Sequence, residues 1–250
     1  MSAIFKREFK AYFTTPIGWI VLAAFYFFLG LYFFLIYSSG SPEIEILMIQ
    51  MPTVVVFLMP ILTMRLMSED RRQKVDQALL TAPVKLSGIV MGKFLAAMSV
   101  YALGFAPTVI FEIIIATKVE GLNLFTYIYA LLGILLLGGA LIAIGMFISC
   151  LTESPAISAM LTLVINILAL YMTNFASMIS VPEGGTTFMS KVWAKIVEWL
   201  ALGLEKAGFI GTVENFAKNI LSISDIIYFL SIIAIFVFLS VRSLEKRRWS

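Results

Sequence analysis

Few side chains in this 250-residue sequence have the types and spacing that enzyme chemistry needs. The chain has no histidine and one cysteine, Cys150. Ser-His-Asp triads, imidazole-ligated haem and nearly all zinc sites are therefore excluded within it. The string nearest to a phosphate-binding loop is Gly88-Ile-Val-Met-Gly92-Lys93-Phe94, which has one spacer too few and Phe at the Ser/Thr position. We expect no catalytic residue, no metal site and no cofactor site in this chain.

A stripe of polar side chains interrupts one of the apolar stretches. Thr162, Asn166 and Thr173 are separated by 4 and then 7 residues, so they share one face of a helix. Polar groups in hydrocarbon need a partner or water. The stripe is therefore a candidate translocation path, and hydrogen bonding between helices is the alternative interpretation.

The composition is that of a membrane protein. Hydrophobic residues make up 61% of the chain and charged residues 13%, and the mean hydropathy is +1.00. A soluble domain is about half apolar and about a quarter charged. The net charge is +3, which excludes a generally basic nucleic-acid binder. We therefore expect lipid, and not nucleic acid, to cover much of the surface.

Six apolar stretches are long enough to span a bilayer, which takes about 20 residues. They are residues 16–37, 46–64, 89–113, a stretch within 121–152, a stretch within 154–179, and 223–241. Pro52 suits the outer start of the second span, Pro60 should kink it, and Pro107 lies near the outer third of the third. Glu112, at the outer end of the third span, is expected to be hydrated. We predict an all-α membrane protein with six transmembrane helices in a single domain.

The distribution of Lys and Arg predicts that both termini are cytoplasmic. One side of the predicted membrane carries 13 of the 18 basic residues and the other carries 5. Basic residues collect in short cytoplasmic loops. The first apolar stretch is about twice as long as the core of a signal peptide, so we expect it to be retained as a span.

The loop after the second span has the features of a short amphipathic helix. Ser68 can cap the helix, Glu69 and Asp70 suit its first turn, and Pro83 would stop it. Apolar residues recur at helical spacing between these signals: Val75, Ala78, Leu79 and Ala82. A solvated loop that merely sets topology is the alternative interpretation. A second amphipathic helix is predicted over residues 4–13, where aromatic side chains oppose Lys6, Arg7 and Lys10.

These segments resemble the ABC-2-type permeases, which are the membrane subunits of ATP-driven exporters. The string from Glu69 to Pro83 is similar to the family signature Glu-Glu-Arg/Lys…Leu-Leu-Leu-Thr-Ala/Ser-Pro. Further similar stretches are Phe5-Lys6-Arg7-Glu8 through Thr15-Pro16-Ile17-Gly18, Leu151-Thr152-Glu153-Ser154, and the segment from Asn219 to Trp249. The closest resemblance is to the branch related to gliding-motility permeases. Lys74-Val75-Asp76 departs from the Gly-Thr that many members carry before the Leu run.

The resemblance implies a division of the chain into functional segments. Residues 1–15 would form an interfacial connecting helix, 65–93 a cytoplasmic coupling region, and 180–222 extracytoplasmic re-entrant helices. The residues that would couple to the ATPase are Glu69, Asp70, Arg71, Arg72, Lys74, Val75 and Leu79. Spans two and five of such permeases face the dimer cavity, which favours the translocation-path interpretation of Thr162, Asn166 and Thr173.

The resemblance also implies partners and a location. We expect a separate ABC ATPase subunit that holds ATP and Mg, and a second copy of this permease or a related one. A subunit with a large extracytoplasmic domain is a further candidate partner. The location would be the inner, plasma membrane of a prokaryote. The alternatives are an ATP-independent secondary carrier and a membrane anchor for an extracytoplasmic complex. No sequence feature identifies the substrate.

Overall fold

The computed structural model describes residues 2–39, 44–73, 85–117, 124–178, 208–217 and 222–248. These ranges are helical apart from short turns, and no strand occurs within them. The helices are α1 (Ser2–Thr14), α2 (Pro16–Ser38), α3 (Ile44–Thr63), α4 (Ser68–Arg72), α5 (Leu86–Gly104), α6 (Pro107–Ala116), α7 (Leu124–Leu151), α8 (Pro155–Met178), α9 (Phe209–Ala217) and α10 (Ile223–Arg248). The prediction of an all-α chain is confirmed for the described residues.

The six predicted spans are all present as helices long and apolar enough to cross a bilayer. They correspond to α2, α3 continued through α4, α5 with α6, α7, α8 and α10. The bounds of the two stretches, within 121–152 and within 154–179, imply a tight turn between the fourth and fifth spans. The structure has it, because α7 ends at Leu151 and α8 begins at Pro155. The last helix extends beyond the predicted residue 241 to Arg248, so the sixth span carries its basic residues on a continuous helix.

The second span contains two prolines. Pro52 and Pro60 both lie inside α3, which begins at Ile44. The prediction that Pro52 marks the outer start of the span is therefore wrong, because the helix begins two turns earlier. The kink predicted at Pro60 stays a prediction.

The third span is two helices rather than one. Pro107 stands in the first turn of α6, where its missing N–H costs no helical hydrogen bond. The backbone between α5 and α6 is closed by tight turn bonds, from Phe105 N–H to the Ala102 carbonyl and from Ala106 N–H to the Leu103 carbonyl, both 3.1 Å. The Tyr26 hydroxyl donates to the Leu103 carbonyl at 3.1 Å, and the Thr108 hydroxyl donates to the Phe105 carbonyl at 2.7 Å. These bonds satisfy backbone groups that a membrane could not hydrate.

The core of the bundle is α7. It packs against α3, α5, α8, α9 and α10, and it is the most buried span, followed by α3. In contrast, α2, α8 and α10 leave large apolar side chains exposed, as expected for surfaces that meet lipid or another protein.

Small residues allow close packing around α7. The Tyr101 ring lies directly against Gly138, and its hydroxyl donates to the Ile134 carbonyl at 2.6 Å. Phe216 of α9 lies against Gly133 in the same way, and Thr63 of α3 against Gly145. In each case a Cβ would overlap the neighbouring side chain, so glycine is required for the approach.

Replacing Gly138 with alanine should destabilise the bundle by about 1–3 kcal/mol, because the new methyl group would overlap the Tyr101 ring. Gly30→Ala is the matched control, since no heavy atom lies within 4 Å of a Cβ built at Gly30. Cys150 is fully buried, so its reaction with a thiol-reactive dye during heating reports unfolding in detergent. Equal midpoints for both variants would show that the Gly138 contact does not constrain packing.

Candidate functional site

The candidate site lies at one end of the bundle, which we call the basic end. It comprises α1, α4, the first turns of α5 and the C-terminal ends of α7 and α10. Helix α1 packs along α5 and α2, and α4 packs against α7 and α8. These contacts bring the N-terminal segment and the loop after the second span to the same place, although they are about 60 residues apart in the chain.

A row of alternating charges connects α1, α5 and α4. Arg7 Nη2 lies 2.5 Å from Glu8 Oε1, and Lys93 Nζ lies 3.2 Å from the same oxygen. Lys93 Nζ also lies 2.7 Å from Asp70 Oδ2. The Lys93 side chain is 1% exposed, whereas those of Glu8 and Asp70 are 15% and 19% exposed. A buried ammonium ion is stable only when paired, so the two carboxylates account for its position.

Burial and the Glu8 carboxylate also affect the Arg7 guanidinium and the Tyr12 phenol on α1. The hydrogen bond to Glu8 raises the pKa of the Arg7 guanidinium, which keeps it charged. The Tyr12 hydroxyl donates to the Leu62 carbonyl at 2.8 Å, near the end of α3. Burial raises the pKa of the Tyr12 phenol well above its usual range, with a smaller contribution from the Glu8 charge. Tyr12 therefore remains a proton donor that ties α1 to α3.

The start of α4 is held by Ser149 of α7. The Ser149 hydroxyl oxygen accepts from the backbone N–H groups of Met67 and Ser68 at 3.0 and 2.9 Å, and the hydroxyl donates to the Met64 carbonyl at 3.2 Å. The prediction that Ser68 caps the helix is wrong, because Ser68 lies inside α4 and its hydroxyl donates to the Met64 carbonyl. A side chain from another span supplies the missing acceptor for the orphan N–H groups of the helix start.

Other bonds join α4 and α10 to the turn between α7 and α8. Arg71 Nη1 donates to the Leu151 carbonyl at 3.2 Å, and Arg71 Nη2 lies 2.6 Å from Glu153 Oε1. Because Glu153 is 68% exposed, its ion pair contributes little stability and mainly orients Arg71. Arg247 of α10 donates to the Cys150 carbonyl. The C-terminal carbonyls of α7, which have no helical donor, are thus partnered by two arginines.

A cleft of about 340 Å³ opens between α1 and the α3–α4 junction. Its walls carry both signs of charge: Arg7, Arg65, Glu8, Glu69 and Asp70 line it together with Tyr12 and Gln73. Glu69 is oriented by Arg65, whose Nε lies 3.4 Å from Glu69 Oε2, and by the Gln73 amide, which donates at 3.2 Å. The cleft can accept a polar segment of a partner protein by charge complementarity.

The predicted coupling residues have different environments. Glu69, Asp70 and Arg71 each have the partners given above, and Arg72 is exposed. Lys74, Val75 and Leu79 lie outside the described residues, together with the predicted stop at Pro83. Sequence reasoning missed Lys93, Glu8 and Ser149. The available signal for Lys93 was a lysine inside the predicted span 89–113, with apolar residues before and after it.

Thr162 and Asn166 of the predicted polar stripe on α8 are buried inside the protein, whereas Thr173 is half-buried. Ser158, Thr162 and Asn166 are all fully buried, and Ser158 extends the stripe by one helical turn. Their hydroxyl groups and the Asn166 amide have no hydrogen-bond partner in the described part of the chain. Thr173 lies against Gly208, before α9. Thr162 and Asn166 thus make no hydrogen bond to another helix within the described residues, and both interpretations of the stripe stay predictions.

Glu112 differs from its prediction. It is 5% exposed, and its Oε2 has no hydrogen-bond partner among the described residues. The expectation of a hydrated interfacial carboxylate is wrong because α6 turns this residue inward, while Ile113 and Ile114 of the same helix face outward.

Comparison with known proteins identifies the family. The family model described as ABC-2 family transporter protein matches residues 6–169, about two thirds of the chain. The chain belongs to the ABC-2 transporter family. The matched part of this ABC-2 protein runs from α1 into α8 and includes the charge row, Ser149, Thr162 and Asn166. The comparison with curated proteins finds no match. The closer resemblance to gliding-motility permeases stays a prediction.

Ser149→Ala should destabilise the ABC-2 protein by about 1–3 kcal/mol, because two buried N–H groups at the start of α4 lose their acceptor. Ser99→Ala is the matched control, since the Ser99 hydroxyl donates at 2.8 Å to the Leu95 carbonyl of its own helix. The measurement is the fraction of monodisperse protein that remains after graded heating. If both variants retain the same fraction, Ser149 does not hold α4.

Proposed function

We propose that this ABC-2 protein is the permease subunit of an ABC exporter, driven by a separate ATPase subunit and forming its path as a dimer. The family match, together with six helices able to span a membrane, makes the chain a multi-pass transporter component. The observation that carries the rest of the proposal is the attachment of α4 to three spans. A force on α4 reaches α3 through the chain, α5 through Lys93 and α7 through Ser149.

The basic end would be cytoplasmic in this proposal. It holds the described basic residues near both termini and after the second span, which is the distribution expected of cytoplasmic segments. The ATPase subunit would dock there, on the cleft beside α1 and on the amphipathic segment that follows α4. ATP and Mg would be held by that subunit. A second permease and a subunit with a large extracytoplasmic domain are further partners, and the inner membrane of a prokaryote is the proposed location.

The path would involve Thr162, Asn166 and Thr173 in an open conformation. The Thr162 hydroxyl and the Asn166 amide have no hydrogen-bond partner among the described residues, which costs about 1–3 kcal/mol for each group. Movement of α8 relative to α3 and α7 would give these groups water or substrate as partners. Helix α9 supports the proposed re-entrant segment, because Phe209, Val213 and Phe216 are buried against the spans it contacts.

The orientation predicts a labelling pattern in intact cells. Single cysteines at Ser2 and Ser250, placed in a Cys150→Ser background, should not react with an impermeant thiol reagent because both positions would face the cytoplasm. Ser39→Cys is the positive control, since Ser39 is exposed at the other end of α2. Labelling at Ser2 or Ser250 before cell lysis would contradict six spans with cytoplasmic termini.

The coupling role predicts the effect of a charge in the segment after α4. Leu79→Asp should insert normally, because the region from Arg65 to Lys93 keeps its six basic residues, yet it should lose most bound ATPase. An unpaired charge in an apolar contact costs several kcal/mol, on the order of 3–5. The measurement is the ATPase subunit that co-purifies with the tagged permease and the hydrolysis it supports, with Leu79→Met as the volume-matched control.

The isolated permease should neither bind nor hydrolyse ATP in the same experiment. If Leu79→Asp co-purifies with as much ATPase subunit as the parent and supports the same hydrolysis, the loop only sets the topology and does not couple to the ATPase. Nucleotide binding by the isolated permease would instead contradict the separate ATPase subunit.

A further inference from the structure

Lys93 is unusual among the described cations because its side chain is buried and two elements distant in sequence supply its counter-charges. Glu8 comes from α1 and Asp70 from α4, and both reach the same ammonium nitrogen. One ammonium ion can pair with two carboxylates at once, and both oxygens lie within ion-pair distance of its nitrogen. The two elements thus share one partner on a third helix.

We propose that Lys93 is a positioning residue that holds α1 and α4 as one unit on the first turns of α5. Its contact to Asp70, at 2.7 Å, is the shorter of the two, and Glu8 is also bonded to Arg7. Neither α1 nor α4 can move far from α5 unless the ammonium loses one of its counter-charges. The use of this unit in ATPase coupling rests on the proposed function, but the unit itself does not.

Lys93 is more deeply buried than Glu8 and Asp70, so removal of the ammonium and removal of the carboxylates should change stability by different amounts. Lys93 is 1% exposed and cannot gain water when its carboxylates are removed. Glu8 and Asp70 are 15% and 19% exposed, so each can turn toward water when Lys93 is removed. Loss of both carboxylates is therefore expected to be worse than loss of the ammonium.

The attachment of α1 to α4 can be measured by the distance between spin labels on the full chain in lipid nanodiscs, without any ATPase. Lys10→Cys on α1 and Arg72→Cys on α4 place labels at exposed positions, in a Cys150→Ser background. The parent should give one narrow distance distribution. Lys93→Met should lose the narrow peak, because the two helices no longer share a partner.

Phe94→Met is the matched control for this experiment. Phe94 is the buried neighbour of Lys93 on α5, and its replacement alters packing but leaves the charge row intact. The control should keep the narrow peak even if its thermal stability falls. A narrow peak in Lys93→Met, or equal broadening in Phe94→Met, would overturn the proposal.

A rescue experiment separates charge pairing from simple packing. Glu8→Gln with Asp70→Asn should lower the yield of folded chain more than Lys93→Met does, and adding Lys93→Met to that pair should restore part of the yield. A purely steric role for Lys93 predicts a further loss in the triple variant, which would overturn the proposal. Failure of the parent permease to bind an ATPase would contradict the proposed function and leave both of these results unaffected.

Discussion

The ammonium of Lys93 imposes the main constraint on the basic end of the bundle. A charge with 1% of its side chain exposed must be paired, and its two carboxylates come from segments that precede α2 and follow α3 in the chain. That requirement brings α1 and α4 together beside the first turns of α5. The hydrogen bond from the Tyr12 hydroxyl to the Leu62 carbonyl also joins α1 to the end of α3.

Helix α7 supplies the second constraint because it combines glycine contacts with a polar end. Three glycines of α7 leave room for side chains of three other helices, so α7 can lie at the centre of the bundle. These glycines are Gly133, Gly138 and Gly145. At its end, Ser149 and the last carbonyls bond to α4, Arg71 and Arg247. The core helix of the membrane part is therefore also the anchor of the polar part.

Apolar length and charge distribution were sufficient to predict the six spans and the tight turn before Pro155, because both depend on local composition. The environment of individual side chains was harder to predict. Lys93 counted as a topology signal, since its carboxylate partners lie far away in the sequence. Ser68 had the sequence features of a cap, but a serine from α7 provides the acceptor. Helical periodicity correctly placed Thr162 and Asn166 on one face of a helix. Periodicity alone could not show that this face is buried between spans.

The break between α5 and α6 gives the third span a mechanical joint. Between Ala102 and Val109 the backbone is closed by tight turn bonds rather than by regular helical ones, and Pro107 contributes no N–H. Bending there breaks few strong bonds, whereas bending within α5 would break several. A torque applied through Lys93 would therefore pass along α5 and be absorbed at this joint, so that α6 and the buried Glu112 would keep their orientation while the half of the span nearer the basic end rotates.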